Sequence, residues 1–108
     1  MNYTMQDAMQ LIMLNNRVFD VDRIVMVRKY CHTIGHWYFT IQFDNNTYGV
    51  LAIYADGKSI STRVFAMATK ERLIRRLLLR SVPINAIPKI MDCSTDEVAN
   101  IVNEVMDQ

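Results

Sequence analysis

From Val18 to Phe65 the hydrophobic period of this chain is two, and no other feature restricts its fold so tightly. Trp37, Phe39, Ile41 and Phe43 alternate with His36, Tyr38, Thr40 and Gln42. Side chains of an extended strand point to opposite faces in turn, so the pattern reads as a strand with one apolar face. The preceding run Ile24–Cys31 is rich in β-branched residues and reads as a strand too. A turn around Thr33-Ile34-Gly35 joins the two, and Asn45-Asn46 closes the next hairpin, because Asn tolerates a left-handed backbone. Gly49–Tyr54 predicts a third strand, and Asp56-Gly57 predicts a type I′ turn into a fourth near Ile60–Phe65. Four sequential antiparallel strands form a meander, which can bury one face and leave the other wet. On that reading Tyr38 is ordinary sheet surface.

Helical spacing flanks the strands. Thr4, with Asp7 three positions on in place of the usual Glu, approximates a capping box for a helix reaching about Asn16. Met1, Met5, Met9 and Met13 recur along it with Ala8 and Ile12, which predicts an apolar face packed on the sheet. Docking of this helix on another copy is the alternative. Thr69 caps a second helix through about Arg80. Two shorter helices follow near Asn85–Met91, with Pro88 in its first turn, and Thr95–Met106, where Ser94 and Glu97 have capping-box spacing. The expected fold is α+β: an N-terminal helix (1–16), a four-stranded antiparallel meander (18–66) and C-terminal helices (69–107) packed on one sheet face.

At 108 residues the chain has room for one hydrophobic core, hence a single domain. Its formal net charge of +1 gives no overall attraction to nucleic acid or an anionic membrane. Cys31 and Cys93 make no disulfide framework, and no apolar run approaches membrane-spanning length. The N-terminus lacks a signal-peptide pattern, so a cytoplasmic location is expected.

One segment suggests a named kind of partner. Ile87 and Ile90, a short turn, the capping Ser94, then Val98 and Ile101 follow the grammar of two helices joined by a tight turn. This last quarter of the chain, roughly, resembles the helix-turn-helix segments of small bacterial regulators and transposase-like proteins. The resemblance implies DNA binding, with Asn100 and Asn103 placed to read base edges. Asp92-Cys93 stands where such segments usually have Gly in the turn. From Asp92 onward come Asp92, Asp96, Glu97, Glu104 and Asp107 with no Lys or Arg, a charge pattern that repels phosphates.

Positive charge clusters just upstream. Arg63, Lys70, Arg72, Arg75, Arg76 and Arg80 are opposed there only by Glu71. On a helical wheel Arg72, Arg75, Arg76 and Arg80 share one face, opposite Leu73, Ile74, Leu77 and Leu78, with Leu79 among the arginines. An apolar side chain ringed by arginines has the composition of an interface anchor. The basic and acidic helices are also complementary, within one chain or across a dimer. For chemistry, Cys31, His32, His36 and Cys93 match no metal-ligand spacing, nothing sets a base beside a nucleophile, and there is no glycine-rich phosphate loop.

These features describe a non-enzymatic regulatory or accessory protein, bacterial or phage-derived, acting through protein contacts and forming a homodimer. No catalytic residue, metal, cofactor or membrane is expected. The interaction surface comprises Arg72, Arg75, Arg76, Leu79 and Arg80. The alternative is a nucleic-acid-binding transcriptional regulator that sets the same arginines on phosphates and uses the C-terminal helices.

Overall fold

The computed structural model describes residues 2–107. An N-terminal helix α1 (Met5–Leu14) leads through a 3₁₀ turn (Val21–Arg23) into a four-stranded antiparallel sheet. The strands β1 (Ile24–Thr33), β2 (His36–Phe43), β3 (Tyr48–Asp56) and β4 (Ser59–Ala68) lie in sequence order. Helices α2 (Lys70–Leu79), α3 (Ile87–Met91) and α4 (Thr95–Met106) follow. The class is α+β, with the C-terminal helices on one sheet face, as the pattern of periods predicts.

Local chemistry sets the boundaries. Thr4 and Asp7 make both bonds of the capping box, each side chain accepting from the other's backbone N–H. Thr69 accepts from the N–H of Arg72, and Ser94 from that of Glu97. Helix α2 ends in a Schellman motif: Val82 N–H bonds to Leu77 C=O, Ser81 N–H bonds to Leu78 C=O, and Ser81 takes φ +64°. The last hairpin differs from expectation. Asp56 pairs with Ser59, so Gly57 and Lys58 are the central turn residues. Gly57 has φ +61° while Lys58 is not left-handed, the sign pattern of type II′ and not type I′. In the first hairpin Gly35, at φ +89°, has no room for a side chain, since a Cβ would overlap the carbonyl oxygen of Ala55.

Both faces of the sheet are covered, which corrects the expectation of a wet face. Trp37, Phe39, Ile41, Phe43, Leu51 and Ile53 pack with Ala8, Ile12 and Phe19 on the α1 side. Tyr38, Val50, Ala52 and Phe65 pack with Leu73, Ile74, Leu77, Ile87, Ile90, Val98 and Ile101 on the other. Tyr38 is therefore fully buried and not surface. Each fully buried aliphatic side chain of this kind contributes roughly 1.5–3 kcal/mol. Helix α1 docks on its own sheet, with Tyr3 edge-on to Trp37 at 5.1 Å between ring centroids.

The methionine stripe is not the buried seam. Ala8 and Ile12 are buried, whereas Met5 and Met13 are exposed; Met1 lies outside the described residues. At 3.6 residues per turn a four-residue spacing drifts by about 40° per step, so such a stripe winds away from any one contact line. No helix is long and apolar enough to cross a membrane among the described residues.

Candidate protein-interaction surface

Helix α2 carries the candidate surface, and its neighbours divide its arginines. Leu73, Ile74 and Leu77 turn into the core and fix the rotation of the helix. Arg75 then faces α4, where its guanidinium bonds to Glu71 at 3.0 Å and to Glu104. The hydrogen bonds that Arg75 donates to Glu71 and then to Glu104 hold its pKa above the ordinary value. The complementary basic and acidic helices thus meet within one chain, and Arg75 leaves the surface proposed from the sequence.

The opposite flank of α2 faces β4. Arg76 donates from Nη1 to the Ala66 carbonyl at 3.3 Å. A cleft of about 460 Å³ opens between strand and helix, lined by Arg63, Phe65, Arg76, Leu79 and Arg80 among others. Leu79 is 72% exposed. Arg72 is exposed on the outer face of the same helix. Among the described residues, Arg63, Arg72, Arg76 and Arg80 take part in no ion pair. Three guanidinium groups that carry no ion pair among the described residues thus line the cleft with one exposed apolar side chain, an arrangement that can hold carboxylates beside an apolar contact.

Arg63 is the residue that sequence reasoning left in the background. It pairs with Ala52 across the β3–β4 ladder, beside Phe65 on the α2 side of the sheet. The available signal was the alternation of Ser61, Arg63 and Phe65 in a strand leading directly into α2.

The helical hairpin formed by α3 and α4 holds together through Ile87, Ile90, Met91, Val98 and Ile101. Asp92 fills the turn position in the left-handed region at φ +51°, and its carboxylate meets Arg28 of β1 at 3.3 Å. Thr40 of β2 donates its hydroxyl to the Ile90 carbonyl at 2.7 Å. Asn100 and Asn103 are exposed, but Asn100 shares a groove with Glu71, Glu97 and Glu104. Asn100, expected from the sequence to read bases, therefore sits among three carboxylates and Lys70, on the side of α2 away from the arginine cleft. A more apolar groove of about 550 Å³, lined by Ile84, Pro88, Val98 and Ala99 among others, runs along the outer side of this hairpin.

The residues considered for chemistry do not converge. Tyr30 and His32 share a hydrogen bond of 3.1 Å, and His36 lies edge-on to Tyr54, with ring centroids 5.2 Å apart. Cys31 is exposed on β1, while burial, helped by Glu97 and Asp92, pushes the Cys93 thiol up, opposite to the lowered pKa of an activated nucleophile. Among the described residues no three His, Cys, Asp or Glu side chains come together as a metal set. Comparison with protein-family models, with curated proteins and with solved structures finds no match to this chain.

Proposed function

We propose that this chain is a non-enzymatic regulatory or accessory protein acting through protein–protein contact, and that its contact surface is the cleft between β4 and α2. One observation carries the reading: Leu79 stands exposed among Arg63, Arg76 and Arg80, none of them in an ion pair among the described residues. The partner is an acidic protein surface with an apolar residue for Leu79. Arg72 extends the basic rim and Arg75 stays with Glu104.

A twofold contact over this cleft would set arginine against arginine, at a cost that like charges impose across any interface. A homodimer using the cleft therefore sets the cleft of each copy against a different, acidic patch of the other, twice over about the twofold axis. The exposed Asp96, Glu97 and Asp107 of α4 supply the acidic side in a second copy. Two unpaired thiols fit a reducing, cytoplasmic setting.

Nucleic-acid binding is the second reading, favoured by Arg63, Arg72, Arg76 and Arg80, which carry no ion pair among the described residues and would bind phosphates without help from α4. Absorbance and light scattering on purified protein separate the two. A protein-contact module elutes without excess absorbance at 260 nm and self-associates or captures acidic partners. A nucleic-acid binder carries polyanion that high salt strips away, and that result would replace the proposal.

A further inference from the structure

We infer that the outer edge of β4 receives an extended acidic segment as a fifth strand, with the arginines of the cleft reading its carboxylates. The inference rests on the protein-contact reading above and specifies its mode. Strand β4 is a terminal strand of the sheet and lies against β3 alone in the ladder. Asp56 and Ser59 flank a two-residue turn and so form a hydrogen-bonded pair. Counting along the ladder, Ser59, Ser61, Arg63 and Phe65 spend their backbone groups on β3. Ile60, Thr62 and Val64 aim theirs outward. The next outward carbonyl, that of Ala66, is taken by Arg76 after the bulge that follows Phe65.

An open edge is a liability that proteins blunt with charge, and Arg63 and Arg76 perform that duty against a second β4, which carries the same charges. The identical feature admits an acidic strand. Residues of an added strand alternate between faces, so every second side chain falls on the α2 side, over Arg63, Arg76, Leu79 and Arg80. Carboxylates there meet guanidinium groups that take part in no ion pair among the described residues, and one apolar residue meets Leu79. The backbone supplies the register and the arginines supply the selectivity.

The test uses the full chain and a short capped peptide of alternating Glu and Val. It also uses the same peptide N-methylated at every second residue, and an oligothymidylate. Thr62→Pro removes an outward N–H and places a ring on the edge, a position where strands tolerate proline. The expected result is salt-sensitive binding of the plain peptide. Binding falls about tenfold or more on N-methylation and in Thr62→Pro, the scale of one or two lost hydrogen bonds. The N-methylated peptide keeps the test decisive even where the proline variant fails to fold. Equal binding of both peptides overturns strand addition and leaves the charge-based contact standing. No binding of either, with tight binding of oligothymidylate, overturns both. Self-association of the wild-type chain that Thr62→Pro abolishes assigns the edge to a second copy and overturns the acidic occupant.

Discussion

Arg75 of α2 and Glu104 of α4 are joined by an ion pair across the helix–helix groove, and Glu71 shares the same guanidinium. This contact holds Arg75 against the acidic helix, while Arg72, Arg76 and Arg80 take part in no ion pair among the described residues. It also couples the last helix to α2, which itself is fixed on β3 and β4. The pair is partly exposed, so it acts as a docking guide more than a source of stability. Arg75→Met and Glu104→Gln should each lower the melting temperature slightly, and the double variant should lose less than the two single losses added together. Molar salt should shrink all three differences, as thermal melts at two ionic strengths will show.

A second tie runs from the sheet to the α3–α4 hairpin. Ile90 lies in the last turn of α3, where its carbonyl has no partner within the helix, and the buried Thr40 hydroxyl satisfies it. Thr40→Val keeps the shape and removes the donor. The expected cost is about 1–3 kcal/mol, because a buried carbonyl is left unpaired. Urea denaturation should report it as a lower midpoint with an unchanged slope.

Ser81 holds the left-handed position of the Schellman motif at φ +64°, where glycine is the usual residue. Its side chain is exposed. Ser81→Gly relieves the Cβ strain and should stabilise the fold by roughly 0.5–1 kcal/mol, again read by urea denaturation. A destabilised variant would mean that the serine hydroxyl has a role in the cap.

The elements were legible in the sequence because they rest on local rules. The alternation at Trp37–Phe43 and the caps Thr4, Thr69 and Ser94 depend on neighbours a few residues away. Burial of the second sheet face was not, since α2–α4 reach Tyr38 and Val50 only through tertiary packing. One hint was present: Gly49–Tyr54 is apolar at nearly every position, which is how a strand buried on both faces reads. The arginine face was visible as a face, but its division was not. Which flank meets Glu104 and which meets Ala66 depends on where α2 sits between α4 and β4. The methionine stripe misled because spacing alone does not say which of several helical lines becomes the seam.

Burying Tyr38 has a consequence in alkali. Burial, with the hydrogen bond to Tyr54 second, raises its pKa above the ordinary value of 10.0. As pH climbs past about 10 the unfolded chain gives up this proton and the folded chain keeps it. The stabilisation is complete below pH 10 and drains away as pH rises through the folded-state value. Wild-type protein should therefore lose stability more steeply above pH 10 than Tyr38→Phe, whose phenyl ring has no proton to lose. Urea midpoints from pH 9 to 11 compare the two slopes, and parallel slopes would contradict the burial.

Substitution of Leu79 tests the proposed contact apart from folding. At 72% exposure it contributes little to the core, so Leu79→Glu should change stability by no more than about 0.5 kcal/mol. Its carboxylate would sit among Arg63, Arg76 and Arg80 and compete for the groups that an acidic partner needs. Calorimetric titration with the Glu–Val peptide should show affinity falling by about tenfold or more, the loss of one interface anchor plus the new repulsion. Leu79→Ala should fall less, because it removes the apolar contact without adding charge. If Leu79→Glu binds the acidic peptide as well as wild type does, the cleft is not where the partner lands.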